Sequence, residues 1–117
     1  MRLKFSSKIE GQLLAELDLF FKKHHRRPDM CWLTDSQIDN LAEDKYEVPL
    51  FTIEVISKND QVNKLEGKMN DYREAGVKVA WQIFPQHQTV HVYTGKKLKN
   101  MKDFSQIFSL KTLVYGQ

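Results

Sequence analysis

Two strand-like segments, each with one acidic residue, place the strongest constraint on how this chain can fold. The first covers residues 28–33 and contains Asp29, and the second covers residues 49–57 and contains Glu54. Central strands are usually apolar on both faces, because an unpaired carboxylate is costly to bury. Two such strands therefore favour a shared partner for their acids, and a divalent metal ion is the simplest partner for two nearby carboxylates.

The size and composition of the chain predict one domain over residues 1–117. Hydrophobic residues make up 41% of the 117 residues, which is enough for a core that needs no disulfide. The single cysteine, Cys31, lies in an apolar run and is expected to be a core residue of a protein from a reducing compartment. The chain lacks the apolar run of about 18 residues that a membrane span needs. Residues 1–7 lack the apolar core of a signal peptide, so a cytoplasmic location is expected.

Basic residues are concentrated in two short runs, although the formal net charge is only +3. The first run, residues 22–27, stands directly before Asp29, and the second run is residues 96–99. Both runs are compatible with solvated surface and with contacts to the phosphates of a polyanion, and the sequence does not choose between these two interpretations.

The first element is predicted to be a helix over residues 7–23. Its apolar stripe would consist of Ile9, Leu13, Leu14, Leu17, Phe20 and Phe21. Ser7 and Glu10 have the spacing of a capping box, which is one role for Glu10. Its other role would be a carboxylate that points into a site, because Glu10 falls near the middle of the apolar stripe.

The remaining pattern predicts an α/β domain. It consists of helices over residues 36–42 and 61–75, capped by Asp35 and Asp60, and of strands over residues 77–84 and 89–93. Gly76 is the expected left-handed stop of the second of these helices. A tail with a short helix at 104–108 and a strand at 110–115 would follow. The order is α, β, (short α), β, α, β, β and tail, which predicts a small mixed sheet flanked by helices.

Metal-dependent phosphodiester hydrolysis also needs a cation that orients the attacking water or stabilises charge at phosphorus. A lysine two residues after Glu54 would lie on the same strand face, but that position is Ile56. Lys68 is the better replacement because it sits at the edge of a helix stripe that must pack on the sheet, whereas Lys58 follows the strand toward solvent. Structural roles also fit these residues: Asp29 as a turn cap, Glu54 paired with a surface lysine, and Lys68 extending to solvent.

Several segments in order along the chain resemble the Uma2 family, also called DUF820. They are RPD at residues 27–29, PLFTIEVIS at 49–57, KMNDYREAGV at 68–77, WQIFP at 81–85 and TVHVY at 89–93. The resemblance implies a restriction-endonuclease-like fold of the PD-(D/E)XK nuclease superfamily. It also implies Mg²⁺ as the cofactor, with Mn²⁺ as a substitute.

The resemblance carries functional roles onto matching positions. It implies that Asp29 and Glu54 are the metal carboxylates and that the peptide carbonyl of Val55 is a further metal ligand. Lys68 would be the catalytic lysine, moved from the strand to the following helix. A glutamate of the first helix often joins such sites, and both Glu10 and Glu16 remain open for this role.

The sequence leads to two hypotheses about function. The first is a Mg²⁺-dependent DNA endonuclease whose Lys22, Lys23, Arg26 and Arg27 contact backbone phosphates, and which forms a homodimer to cut both strands. The second is a catalytically inactive module of the same fold that binds DNA or protein. It is favoured by Phe84, which stands where the family motif has Asp, and by the short segment before Asp29. The chain has no Gly-rich phosphate loop, so no nucleotide cofactor is expected.

Overall fold

The computed structural model describes residues 2–6, 9–21, 24–43 and 45–105, which form a mixed sheet with two helices. The strands are β1 (Arg2–Ser6), β2 (Ile9–Ala15), β3 (Leu19–Phe21), β4 (His24–Arg26), β5 (Met30–Thr34), β6 (Phe51–Val55), β7 (Val79–Phe84), β8 (Thr89–Thr94) and β9 (Asn100–Ser105). The helices are α1 (Asp35–Ala42) and α2 (Val62–Ala75), and short 3-10 turns lie at Pro85–His87 and Lys96–Leu98.

Seven strands form the main sheet in the order β1-β2-β5-β6-β7-β8-β9, and β3 and β4 pair separately. β6 and β7 are parallel, and the other described neighbours in the main sheet are antiparallel. The predicted α/β fold class is therefore confirmed, as are the crossover through α2 and the β7–β8 hairpin. Parallel neighbours need such a crossover, since a tight turn cannot join them.

The crossover begins at the end of β6 and returns through α2. Gly76 ends α2 with φ of 96° and ψ of 21°, and its amide bonds to the carbonyls of Tyr72 and Arg73. This is the predicted left-handed stop, a conformation that glycine adopts at no steric cost. Because α2 runs back over the sheet, its residues reach the carboxyl-terminal end of β6.

The predicted helix over residues 7–23 is wrong, since the described part of this segment forms β2 and β3. β2 pairs with β5 through Leu13 and Trp32, among other residues. Gly11 explains why this segment forms a strand against β5 and not a helix. A Cβ on residue 11 would lie 2.5 Å from Trp32 Cζ2 and 2.1 Å from the Leu33 carbonyl oxygen, so only glycine allows this close pairing. Glycine is a poor helix former, and close pairing with β5 outweighs the helical periodicity of the segment. Glu10 therefore lies in a strand and not in the first turn of a helix.

Smaller differences concern caps and the tail. α1 is capped by Thr34, not Asp35, in a capping box with Gln37, and Gln61, not Asp60, precedes α2. Asp60 instead accepts a hydrogen bond from the amide of Ser57 at 2.7 Å. In the tail, Phe104 belongs to β9 and not to a helix. The predicted strand at 110–115 lies outside the described residues.

The core lies on both faces of the sheet. Between the sheet and α2, the buried cluster consists of Met69, Tyr72, Val77, Ala80 and Leu98, with Phe21, Val48 and Tyr93 packed against it. On the other face, Ile53, Ile83 and Val90 are buried and are flanked by Leu13, Met30, Phe51, Trp81 and Val92. Because side chains alternate along a strand, Glu54 faces α2 while its neighbour Ile53 faces away.

Candidate metal centre

Asp29 and Glu54 lie side by side on neighbouring strands. Asp29 directly precedes β5, and the register that pairs Met30 with Ile53 places it opposite Glu54. The amide of Val55 donates a hydrogen bond of 2.6 Å to Oδ2 of Asp29. The Asp29 carboxylate is therefore held against β6, next to the residue that carries the second acid.

The Glu54 carboxylate is held by two side chains from one ridge of α2. The hydroxyl of Tyr72 donates to Oε1 at 2.6 Å, and the Lys68 ammonium lies 3.6 Å from Oε2. Residues four apart on a helix face the same way, so both side chains reach down to β6 together. Glu54 is only 6% exposed, which makes its charge costly without these two partners.

Burial raises the pKa of Glu54, and the negative charge of Asp29 raises it further. The hydrogen bond from Tyr72 and the charge of Lys68 act in the opposite direction on the same pKa without cancelling the rise. The local groups thus compensate the Glu54 charge only in part. A cation between the two carboxylates would supply the missing compensation.

Tyr72 remains protonated in this environment. Burial raises the pKa of its hydroxyl, and the neighbouring charge of Glu54 raises it further. The hydroxyl is therefore a stable hydrogen-bond donor toward the Glu54 carboxylate. In the sequence, Tyr72 is one of the apolar positions of the segment predicted as a helix over residues 61–75. Its spacing of four residues from Lys68 was the available signal for a second role.

A small cleft lies above Glu54. Its lining consists of Thr52, Glu54, Leu65, Lys68, Met69, Tyr72, Ala80, Trp81 and Gln82. The space open to the centre of a water molecule is about 10 Å³, which is room for about one water. Thr52 is fully buried there, and its Oγ1 has no hydrogen-bond partner among the described residues.

The donor chemistry of this centre fits a hard divalent cation. Mg²⁺ is typically bound by one or two carboxylates and keeps several of its waters, and Asp29 and Glu54 supply two adjacent carboxylates. Within the described ranges, no group of three or more His, Cys, Asp or Glu residues gathers to hold a metal. The Val55 carbonyl is a neutral oxygen next to the pair that could serve as a further ligand.

Glu10 and Glu16, the two candidates for an additional acid of the site, lie at opposite ends of the neighbouring strand β2. Glu10 precedes Gly11, which pairs with Thr34, so it lies six residues, or about 20 Å, along the strand from Asp29 at about 3.3 Å per residue. Glu16 follows β2, and its amide donates to the Asp29 carbonyl at 3.1 Å. The geometry thus brings Glu16, and not Glu10, close to Asp29, and neither residue lies in a helix.

The arginines of the first basic run are engaged in contacts within the chain. Arg26 Nε lies 2.6 Å from Oδ2 of the buried Asp71. Arg27 Nε donates to the Glu16 carbonyl at 2.9 Å, and its side chain is exposed. Lys22 and Lys23 lie outside the described residues. Arg27 is therefore the more accessible of the two described arginines.

The second basic run contributes to a broad cleft between α2 and the turn at Lys96–Leu98. Asn70, Arg73, Glu74, Lys97 and Lys99 line this cleft, whose volume is about 730 Å³. Leu98 is fully buried and anchors the loop between Lys97 and Lys99. Lys97 and Leu98 both have positive φ values, of 57° and 52°. The fold thus holds two lysines beside Arg73.

A comparison with protein families gives one assignment over nearly the whole chain. The model of the Uma2 family, described as "Putative restriction endonuclease", matches residues 6–116. The chain belongs to the Uma2 family. A comparison with curated proteins finds no match. No helix among the described residues is long and apolar enough to cross a membrane.

A solved structure supports the Uma2 fold. The chain is similar to a crystal structure described as a putative nuclease belonging to DUF820 from Anabaena variabilis, with a TM-score of 0.68 and 24% sequence identity. The match covers 82% of this chain and 55% of that chain, so this chain spans about half the length of the similar protein. The likeness shows that this chain shares the fold of that protein.

Phe84 occupies the position at which the resemblance places an Asp. Its ring centre lies 4.6 Å from that of His91 on β8, and His91 lies 3.6 Å from the Asp103 carboxylate. An aromatic contact therefore takes the place of an acid at the end of β7 in this Uma2 protein.

Proposed function

We propose that this Uma2-family protein is a Mg²⁺-dependent endonuclease that hydrolyses phosphodiester bonds of DNA. The observation that carries the proposal is the convergence of Asp29, Glu54 and Lys68 at the end of β6. Each residue alone has a structural explanation, but an adjacent carboxylate pair with an ammonium group at 3.6 Å is the set that this reaction needs.

The residues of the chain have separate tasks in the proposed reaction. Asp29 and Glu54, with the Val55 carbonyl, would hold the divalent ion. When bound, that ion makes a water molecule more acidic and offsets charge at the leaving oxygen. Tyr72 keeps Glu54 oriented through its hydrogen bond of 2.6 Å. Lys68, with its side chain 37% exposed, can donate to the attacking water or to a phosphate oxygen.

DNA would be bound mainly through its phosphates. The accessible Arg27, together with Lys22, Lys23 and Arg26, is the proposed contact surface, which gives affinity without sequence choice. The cleft lined by Arg73, Lys97 and Lys99 is a second basic surface that suits the same ligand. A homodimer is proposed because one active site cuts one strand, and two sites are needed for a duplex. A cytoplasmic location remains a prediction.

A cleavage assay tests the proposed activity. Supercoiled plasmid and single-stranded DNA are incubated with Mg²⁺ or Mn²⁺ and with wild type, Glu54→Gln or Lys68→Ala. We expect cutting by the wild type, none detectable for Glu54→Gln, and a loss of about 10²- to 10³-fold for Lys68→Ala. The matched controls are Glu66→Gln and Lys64→Ala, which are exposed on the same helix. Cutting that survives both site substitutions would contradict the proposed site.

The second candidate is a catalytically inactive module of the same fold. Phe84 favours it, because an aromatic contact with His91 replaces an acid of the family motif. This candidate predicts DNA or protein binding without cutting, whichever divalent ion is added.

Light scattering on the purified protein tests the proposed homodimer separately. The mass of a single chain under assay conditions would contradict the homodimer.

A further inference from the structure

Gln82 is the direct neighbour of Glu54 on the next strand. β6 and β7 are parallel, and their register pairs Glu54 with Gln82. Paired residues of adjacent strands point to the same face of a sheet, so both side chains face α2. Gln82 is 8% exposed and lines the same cleft as Glu54, Lys68 and Tyr72.

The carboxamide of Gln82 makes no hydrogen bond with another described residue. Its other strand neighbour, His91, is directed to Asp103 at 3.6 Å. Thr52 Oγ1, in the same cleft, also lacks a partner within the described residues. A buried polar group without a partner costs about 1–3 kcal/mol, whereas an apolar side chain of the same shape avoids this cost. The buried Thr52 hydroxyl is therefore explained if a polar species enters the cleft, and the Gln82 carboxamide lines the same space.

The chemistry around Gln82 indicates what that species is. Glu54 presents a carboxylate on one side, and the cleft has room for about one water. An amide oxygen is a suitable acceptor for water bound to a hard cation, and Mg²⁺ keeps several waters in protein sites. A third carboxylate at this position would face Glu54 directly and repel it, whereas the neutral amide adds an oxygen without charge.

We propose that Gln82 is a positioning residue of the metal centre, whose carboxamide oxygen accepts a hydrogen bond from a water bound to the cation beside Glu54. This inference rests on the proposed function, because it requires a divalent ion at Asp29 and Glu54. It extends the centre from two strands to three, since β7 would support the hydration shell of the ion.

Metal binding and thermal unfolding of the metal-free protein together test this role. Isothermal titration calorimetry with Mg²⁺ and Mn²⁺ compares wild type with Gln82→Leu, Gln82→Met and Gln82→Glu. The control is Gln86→Leu, which is exposed in the turn after β7. We expect both apolar variants to raise the metal Kd about 10- to 100-fold and to leave the metal-free unfolding temperature equal or higher. Gln82→Glu is expected to keep tight metal binding and to lower that temperature.

The outcomes separate this inference from the proposed function. If wild type binds the ion, Glu54→Gln does not, and both apolar Gln82 variants bind within twofold of wild type, the metal centre stands and the role of Gln82 is wrong. If wild type binds neither Mg²⁺ nor Mn²⁺, the proposed function and this inference both fail. If the apolar variants lose thermal stability without added metal, the amide has a structural partner and the inference is also overturned.

Discussion

The hydroxyl of Tyr72 donates a hydrogen bond of 2.6 Å to Oε1 of Glu54, and both residues are buried. This contact joins the last turn of α2 to the carboxyl-terminal end of β6. It orients one of the two carboxylates of the proposed metal centre, and it leaves Oε2 facing Lys68.

Removing this hydroxyl should weaken metal binding at the proposed centre without abolishing it. We expect Tyr72→Phe to cost about 1–3 kcal/mol of unfolding free energy, because Oε1 of Glu54 loses its donor. The hydrogen bond lowers the pKa of Glu54, so its loss should raise that pKa and weaken Mn²⁺ binding most at acidic pH. Calorimetry across the acidic range measures this effect. Tyr46→Phe, at a residue 80% exposed, serves as the control and should match wild type.

The charge of Glu54 should make the metal-free protein less stable as the pH rises. Its pKa is raised in the folded state, mainly by burial, so the folded state binds this proton more tightly than the unfolded state. The stabilisation is complete below the unfolded pKa and is lost as the pH rises through the folded pKa. Urea unfolding of wild type and Glu54→Gln across this window measures the difference. Equal pH dependence of the two proteins would contradict the assignment, and added Mg²⁺ should reduce the loss in wild type.

Lys99 should contribute to DNA affinity through the cleft that it shares with Arg73 and Lys97. We expect Lys99→Glu to weaken the binding of a DNA duplex and to reduce the salt dependence of log K by about 0.9 for each lost phosphate contact. Fluorescence anisotropy at several salt concentrations, without divalent ions, measures both quantities. Lys45→Glu makes the same charge change at an exposed residue outside that lining, and a similar effect of both changes would argue against a specific surface.

Gly11 distinguishes the observed strand from the predicted helix. In a helix, Gly11→Ala would stabilise the protein by up to about 1 kcal/mol. In β2, the added Cβ would lie 2.1 Å from the Leu33 carbonyl oxygen, so we expect a loss of about 1–3 kcal/mol. Gly67→Ala in α2 is the control, since its Cβ would meet nothing nearer than 3.8 Å and should be neutral or stabilising. Urea unfolding gives both values.

The parts of the fold that depend on local patterns were predictable. Residues 49–57 and 77–84 are apolar runs on either side of an amphipathic helix that ends at Gly76, and this order leads to a parallel pair. Residues 7–23 could not be assigned in the same way. Their apolar positions fit a helix, and the preference for strands comes from the contact of Gly11 with Trp32, which is distant in sequence.

The residues of the proposed site show the same division. Asp29 and Glu54 were identifiable because acids are rare in apolar strands, and Lys68 because it lies at the edge of a helix stripe. Tyr72 and Gln82 were missed as site residues, since a tyrosine in a stripe and a glutamine in a strand have common structural explanations. Their relation to Glu54 depends on strand register and helix placement, which no local pattern encodes.

The bond between the Val55 amide and Asp29 has a consequence for the choice of ion. Because Asp29 is fastened to the backbone of the strand that bears Glu54, the gap between the two acids is set by the spacing of adjacent strands, about 4.8 Å, more than by side-chain torsions. The sheet would then fix the distance between the two carboxylates. The preference for a small or a large divalent ion would be determined by β5 and β6 as a rigid pair of strands.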